Sequence, residues 1–279
     1  MNCKSIILLI VVLLFWGNAE ARKKKGKKVE EVQTESAYRK FFKGKACETA
    51  KGMITLHKMD GRVYFEIPLA LMGREMLMGS TISEITNNGF GSVGEKPKGL
   101  LYISFVRCDS VISLKQLTAQ YDTNEENLKQ RIKESTIPAT IKNFKITTYN
   151  EDSTAVVIDM TDYLVSADEA IDPFSPWAPI LAGGERVMEK EFRRENSQVV
   201  SIKAFEDNVS VKSSLTYGLS LKNKVMYIFQ REPFTAVMTR SFILLPEHPM
   251  RPRLADPRIA IFSQGVSVFN GDSRGAQAR

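Results

Sequence analysis

Residues 53–67 read MITLHKMDGRVYFEI and predict a β-hairpin. Apolar and polar residues roughly alternate on both sides of Asp60-Gly61, at the two-residue period of a strand with one buried face. Asp-Gly favours a type I′ turn, because both central positions of that turn require a positive φ. The hairpin therefore indicates a β-rich fold.

Strand patterns continue through most of the remaining sequence. They are predicted at 75–85, 100–107, 111–119, 141–149, 155–159, 199–205, 210–219, 224–230 and 235–245. Short helices are predicted at 37–42 and from an Asn124 cap to Glu134. Helical crossovers are missing between most of the strands, so antiparallel pairing is the simplest assembly. The predicted fold class is α+β, predominantly antiparallel β with few short helices.

The N-terminus has the pattern of an export signal. Lys4 precedes an apolar run from Ile6 to Trp16, and Ala19-Glu20-Ala21 forms a small-x-small cleavage site. Residues 1–21 are therefore predicted to be a signal peptide, which places the mature protein in the periplasm, at the cell surface or outside the cell. The basic cluster at 22–28 lies on the translocated side, which leaves an uncleaved anchor open as the alternative. Membrane association is expected only in that alternative.

Positive charge is concentrated next to the predicted cleavage site. Residues 22–28 contribute six of the formal net charge of +7, and residues 29–279 contribute only one. A nearly neutral body does not support a nucleic-acid partner. Residues 22–35 are basic and then acidic without periodicity, and they are predicted to be a flexible leader.

The loop at 87–99 holds five glycine or proline residues and suggests a boundary. Residues 36–86 are predicted to be a small β-hairpin module, and residues 97–260 a β-rich domain of unknown function. Residues 265–269 begin an apolar strand pattern, yet the sequence at 271–279 offers no recognisable partner strand. We therefore interpret 261–279 as the incomplete start of a following region, poorly ordered and truncated from a longer polypeptide.

The candidate chemical motifs are weak. Gly89–Gly94 fits G-x-G-x-x-G, but a strand pattern follows it where a phosphate-binding loop needs a helix. His57 and His248 are far apart and have no H-E-x-x-H spacing for zinc. The carboxylate pairs Asp159 with Asp162 and Glu189 with Glu191 have spacings that are common by chance. No catalytic, cofactor-binding or metal-binding residue is therefore predicted in this chain.

The cysteines leave two alternatives open. Cys3 leaves with the signal peptide, so Cys47 and Cys108 remain in the mature chain. They can pair in an oxidising compartment, or they can be two small buried side chains. The sequence does not distinguish between these alternatives.

Four blocks of sequence resemble a known family. Residues 50–58, 64–68 and 71–77 are similar to the N-terminal module of large secreted bacterial zinc-dependent metalloproteases, and 246–259 resembles the end of that family's second module, a domain of uncharacterised function. The resemblance covers almost the whole mature chain. In the proteins of that family, the matching region is only the part that precedes the protease domain. The family's H-E-x-x-H helix lies farther along, and no position here matches it.

The resemblance implies a non-catalytic N-terminal accessory region, either prodomain-like or substrate-docking, that is inactive as a protease alone. Zinc is expected only in the downstream domain, with none in this chain. The expected partners are that downstream domain and a protein or peptide substrate. A stand-alone exported surface protein that binds glycans or peptides is the alternative.

The segment 252–256 superficially resembles the latency segment of cysteine-switch propeptides. Leu254 occupies the thiol position, so the usual thiolate chemistry is missing. Asp256 is the one residue there that offers an oxygen ligand, although a structural role for the surrounding arginines is favoured.

Overall fold

The computed structural model describes residues 35–117, 121–123, 125–175, 186–223, 229–248, 250–251, 253, 256, 258, 265–270 and 273–278. The predicted signal peptide, most of the leader and the predicted cap Asn124 lie outside these residues. Residues from Ser36 onward belong to one compact unit. Within the described part of the chain, no helix has the length and apolar character needed to cross a membrane.

The described elements are mostly strands. The strands are β1 Cys47–Ala50, β2 Thr55–Met59, β3 Arg62–Pro68, β4 Met76–Ile85, β5 Leu101–Cys108, β6 Val111–Gln116, β7 Tyr121–Asp122, β8 Ala139–Tyr149, β9 Ala155–Asp159, β10 Arg186–Phe192, β11 Gln198–Ala204, β12 Asn208–Asn223, β13 Phe229–Leu244, β14 Gly265–Asn270 and β15 Ser273–Ala278. The helices are α1 Ala37–Phe42, α2 Glu126–Ser135 and α3 Thr161–Leu164, with 3-10 turns at Leu69–Leu71, Asn88–Phe90 and Arg194–Asn196.

Twelve strands form one antiparallel sheet in the order β1-β2-β3-β9-β8-β6-β5-β4-β13-β12-β10, and β11 also pairs with β12. A second sheet has the order β15-β14-β7, in which β14 and β7 are parallel. The prediction of a predominantly antiparallel β protein with few short helices is confirmed.

The predicted hairpin is confirmed as the β2–β3 pair. Asp60 has φ of 52° and Gly61 has φ of 72°, as a type I′ turn requires. Met59 lies opposite Arg62, so the turn contains only these two residues. This register places Leu56 and Phe65 together in the core and leaves His57 and Tyr64 on the opposite face.

The large sheet curls until strands near its two ends meet. The Met53 amide donates to Phe205 O at 2.7 Å, and Lys58 Nζ donates to Val200 O at 2.6 Å. A Cβ atom at Gly52 would lie 2.4 Å from Phe205 O, so this approach requires glycine. The enclosed face forms the core, where the Phe65 and Phe242 rings meet edge to face at 5.4 Å.

Residues 36–86 and 97–260 contribute to the same sheet. β3 pairs with β9, and β4 lies between β5 and β13. Their apolar side chains enter one common core. The loop at 87–99 therefore separates two stretches of sequence whose strands pair with each other.

The prediction of separate strands at 224–230 and 235–245 is wrong for the described part, since β13 runs unbroken through Pro233. Thr235 directs both its amide and its carbonyl toward Thr86. The backbone nitrogen of Pro233, two residues away, faces the same side as that of Thr235. Pairing with β4 begins only at Ala236. The missing N–H of proline therefore removes no ladder bond at this position.

The prediction that 271–279 supplies no partner strand is also wrong. β14 pairs with β15 over six residue pairs, from Gly265 opposite Ala278 to Asn270 opposite Ser273. Ladder bonds come from the backbone, so a segment of small and polar residues can provide them without an apolar pattern. The lack of a partner strand was one argument for a truncated chain, and this argument no longer holds. The truncation itself stays a prediction.

Candidate functional site

A groove of about 510 Å³ lies between the start of α1 and the β8–β9 hairpin. Its walls are residues 36–38 at the helix start, Ser110 in the β5–β6 turn, residues 146–151 and Ser153. The groove is therefore built from three segments that are distant in sequence.

One wall of the groove is a strand edge. β8 pairs with β6 only as far as Lys145, whereas its pairing with β9 continues to Tyr149. Residues 147–149 therefore have no second strand partner among the described residues. The register shifts between Ile146 and Thr148, which indicates a bulge at Thr147. An unpaired edge of this kind offers backbone groups to an added strand, and here Tyr149 O must exchange its present hydrogen bond from Thr148 Oγ1, at 3.1 Å, for one from that strand.

The opposite wall, α1, is fastened to the outer face of the sheet by aromatic packing. Ser36 Oγ accepts from the Arg39 amide at 3.2 Å and caps the helix. Phe41 packs edge to face on Tyr64 at 5.1 Å, within a cluster that also contains Met59 and Val157. A six-residue helix has little stability of its own, so these contacts hold the wall in place.

A polar network connects this wall to the sheet. Tyr38 OH donates to Glu66 Oε2 at 2.8 Å, and His57 Nε2 lies 2.9 Å from the same oxygen. Thr49 Oγ1 lies 3.0 Å from His57 Nδ1, and Cys47 Sγ lies 3.9 Å from it. His57 is 5% exposed, so both ring nitrogens are satisfied within the protein.

The network contains a carboxylate and a neutral phenol at pH 7. The hydrogen bond from His57 lowers the pKa of Glu66, and the bond from Tyr38 lowers it further against the opposing effect of burial. Burial, followed by the hydrogen bond to Glu66, raises the pKa of Tyr38. The ionised Glu66 therefore accepts bonds from both neighbours.

Cys47, His57 and Glu66 follow the order thiol, base and carboxylate that is found in activated cysteine nucleophiles. Their distances instead favour a structural role. A base that activates a thiol needs a direct hydrogen bond of roughly 2.6–3.2 Å, although apo structures are often looser. The Cys47 sulfur is 3.9 Å from the ring and nearer, at 3.5 Å, to Thr49 Oγ1. The arrangement supports fastening α1 to the β2–β3 hairpin.

The structure does not assemble the other candidate residues into a site. His248 is exposed beyond β13, whereas His57 is buried in β2. Asp159 binds Arg62 and accepts from the Thr161 amide at 2.9 Å. Asp162 lies 3.6 Å from Arg194 at the surface. These carboxylates therefore take part in ion pairs and a turn.

The remaining carboxylates and cysteines are also separate. Glu189 and Glu191 lie two residues apart on β10, opposite Ser220 and Gly218. Asp256 forms a bidentate contact with Arg258, with its shortest distance at 2.6 Å. Cys47 is half-buried and Cys108 exposed, and both are free thiols. In the described ranges, no group of three or more His, Cys, Asp or Glu residues is placed to hold a metal ion.

Hydrogen bonds within the glycine-rich loop and to β4 hold the loop in place. Glu95 Oε2 accepts from the Ser92 amide at 2.9 Å, and the Gly94 amide donates to Ile82 O at 2.8 Å. Phe90 packs against Phe234 at 5.5 Å. A carboxylate therefore already occupies an amide that a phosphate would need.

Comparison with known families divides the chain at this same loop. The description "Domain of unknown function (DUF5118)" matches residues 35–85, and "Domain of unknown function (DUF5117)" matches residues 95–279. The second match covers more than half of the chain, which therefore belongs to the DUF5117 family. No curated protein and no solved structure matches the chain.

Proposed function

We propose that this chain, which we assign to the α+β class, is a non-catalytic N-terminal accessory region of a secreted zinc-dependent metalloprotease. Its role is to dock an extended polypeptide segment in the groove beside β8. We infer export to the periplasm, the cell surface or the medium from residues 1–21. Zinc and the protease activity belong to a downstream domain.

The link to the protease family rests on the sequence resemblance, and a contact between two of the resembling blocks is consistent with it. Arg74, in the block 71–77, donates to Glu247 Oε1 at 2.6 Å, and Glu247 lies in the block 246–259. The Leu245 amide, next to the second block, donates to Glu75 O at 3.0 Å. Blocks that are 173 residues apart therefore meet, which supports a resemblance that covers one structural unit.

The strand edge supports the docking role. A polypeptide that adds to such an edge gains main-chain hydrogen bonds irrespective of its sequence, and side-chain pockets then give specificity. Tyr38 and Tyr149 provide aromatic surface on the two walls, and tyrosine is well suited to contacts that are partly wet. The occupant we propose is an extended segment of a protein substrate or of the downstream domain.

The reading frame beyond codon 279 tests the link to a protease. We expect it to continue and to encode an H-E-x-x-H helix. A stop codon at that point would contradict the proposal and favour the alternative, a stand-alone binding protein for glycans or peptides.

A charged obstruction of the groove tests the docking role. Ser110→Arg places a long side chain in the groove wall of the full-length protein, and Ser135→Arg adds the same side chain at an exposed position outside the groove lining. We expect Ser110→Arg to raise KM for a protein substrate several-fold and to leave kcat for a short peptide unchanged.

The outcomes of this test separate the possible occupants. If Ser110→Arg raises KM but the isolated downstream domain still binds the chain, the occupant is substrate. If only binding of the downstream domain is lost, the occupant is that domain. Equal kinetics and equal binding in Ser110→Arg and Ser135→Arg would show that the groove does not dock a polypeptide.

A further inference from the structure

Arg240 is a charged side chain in the core without enough partners. It lies on β13 at an inward position between Met238 and Phe242 and is fully buried. Nη2 donates to Ile171 O at 3.0 Å, whereas Nε and Nη1 have no hydrogen-bond partner. Nε and Nη1 together carry three N–H donors that have no acceptor among the described residues, which is strongly unfavourable in the interior.

Other polar groups without partners surround Arg240. Tyr163 OH, Tyr217 OH and Ser213 Oγ are all buried and make no hydrogen bond. Both tyrosines interact electrostatically with Arg240. Ser213 is its diagonal neighbour on β12, because Val211 lies opposite Arg240 and Ser213 opposite Met238. Side chains from α3, β12 and β13 thus bring unsatisfied groups into one region of the core.

The charge in this region is unbalanced. Asp172 is the carboxylate that interacts with Arg240, but its two oxygens bind Lys98 Nζ at 3.0 Å and Lys190 Nζ at 2.8 Å. Asp168 is a second carboxylate in this region, because it acts electrostatically on Tyr163, so two carboxylates face three cations. Burial lowers the pKa of Arg240 to about 10, so the guanidinium stays charged at neutral pH.

We propose that a single small anion of the halide class binds in the core beside Arg240. It accepts hydrogen bonds from the free guanidinium nitrogens, and the hydroxyls of Tyr163, Tyr217 and Ser213 complete its shell. A water molecule would satisfy the donors but leave the excess positive charge. We restrict the proposal to a one-atom ion, because Leu215, Met238 and Phe242 belong to the same close-packed core as Arg240 and leave little room for a larger anion.

Residues 161–174 contribute buried groups to the Arg240 region, whereas Asp162, Ala167 and Glu169 of this segment are exposed. Ile171 O holds Arg240, Asp172 is fastened by the two lysines, and Phe174 packs against Tyr217 at 5.1 Å and Phe234 at 5.2 Å.

Bromide locates the ion directly. The protein is crystallised in sodium bromide, and diffraction is measured at the bromine absorption edge. We expect an anomalous peak in contact with the Arg240 guanidinium and a tyrosine hydroxyl. Water density without an anomalous peak at this place, or bromide bound only at the surface, would overturn the proposal.

Thermal unfolding tests the site in solution. Bromide replaces gluconate at constant ionic strength, and we expect Tm of the wild type to rise to a plateau. Arg240→Met should abolish this response, and Tyr217→Phe should shift it to higher bromide concentration if Arg240→Met does not fold. Lys212→Met removes a positive charge from the outward face of β12 and should respond like the wild type. No response in the wild type, or the same response in Arg240→Met, would contradict the site.

Discussion

The His57–Glu66 network and the Arg240 region both contain buried ionisable groups, but they satisfy them differently. In the network, Glu66 accepts from two neighbours and both nitrogens of His57 have partners. In the Arg240 region, two guanidinium nitrogens and three hydroxyl oxygens lack a hydrogen-bond partner in the part of the chain that the structure describes. The difference indicates that the first region holds two elements together, whereas the second is the region where we propose that an anion binds.

Removal of Glu66 should have the largest effect. Glu66→Ala leaves the His57 ring and Tyr38 OH without an acceptor, and we expect a loss of about 2–3 kcal/mol in the free energy of unfolding. Glu48→Ala, which removes an exposed carboxylate 3.8 Å from Lys58, should cost less than about 0.5 kcal/mol. Urea denaturation measures both values. Equal losses would show that the network does not fasten α1.

Arg240→Met should behave in the opposite way. In a halide-free buffer it removes a buried charge that makes only one hydrogen bond to the described residues, so we expect stability within about 1 kcal/mol of the wild type or higher. The measurement is urea denaturation in gluconate buffer. A loss as large as that of Glu66→Ala would mean that Arg240 is satisfied by the protein itself.

The turn that aligns the network gives a third test. Gly61→Val forces a β-branched residue to a φ of 72°, and we expect a cost of roughly 1–2 kcal/mol and a lower Tm. Gly99→Val, in an exposed position with open space around it, is the control. An unchanged melting curve for Gly61→Val would contradict the tight two-residue turn.

Acid should lower the stability of the wild type more than that of Glu66→Gln, because only the wild type has the Glu66 carboxylate to protonate. The pKa of Glu66 is lower in the folded state than its ordinary value of 4.5, so its stabilisation is full above that value and is lost as pH falls through the folded pKa. The stability difference between wild type and Glu66→Gln, about 1 kcal/mol at pH 7, should therefore shrink below pH 4.5. A difference that does not change between pH 7 and pH 3 would contradict an ionised Glu66.

The placement of some residues in the His57–Glu66 network and in the Arg240 region can be predicted from sequence. The Asp60-Gly61 turn fixes the register that makes Glu66 a diagonal neighbour of His57, since His57 lies opposite Tyr64. The alternation of Phe234, Ala236, Met238 and Phe242 likewise places Arg240 on the inward face. Tyr38 and Tyr163 come from helices, and only tertiary packing brings them to the strands.

The elements that sequence analysis missed are edge or short strands. β1 is four residues long and only partly buried, so it has no clear apolar period. β10 exposes Glu189 and Glu191, because it pairs only with β12 among the described strands. Patterns of burial cannot reveal strands whose side chains lie in solvent.

The docking role has a direct test by photo-crosslinking in the full-length protein. A photoreactive residue replaces Thr147, which lines the groove, and in a control it replaces Ala139, which is exposed at the other end of β8. We predict that the residue at 147 crosslinks to protein substrate or to the downstream domain, and that the one at 139 does not. Equal crosslinking at both positions, or none at 147, would contradict a polypeptide-docking groove.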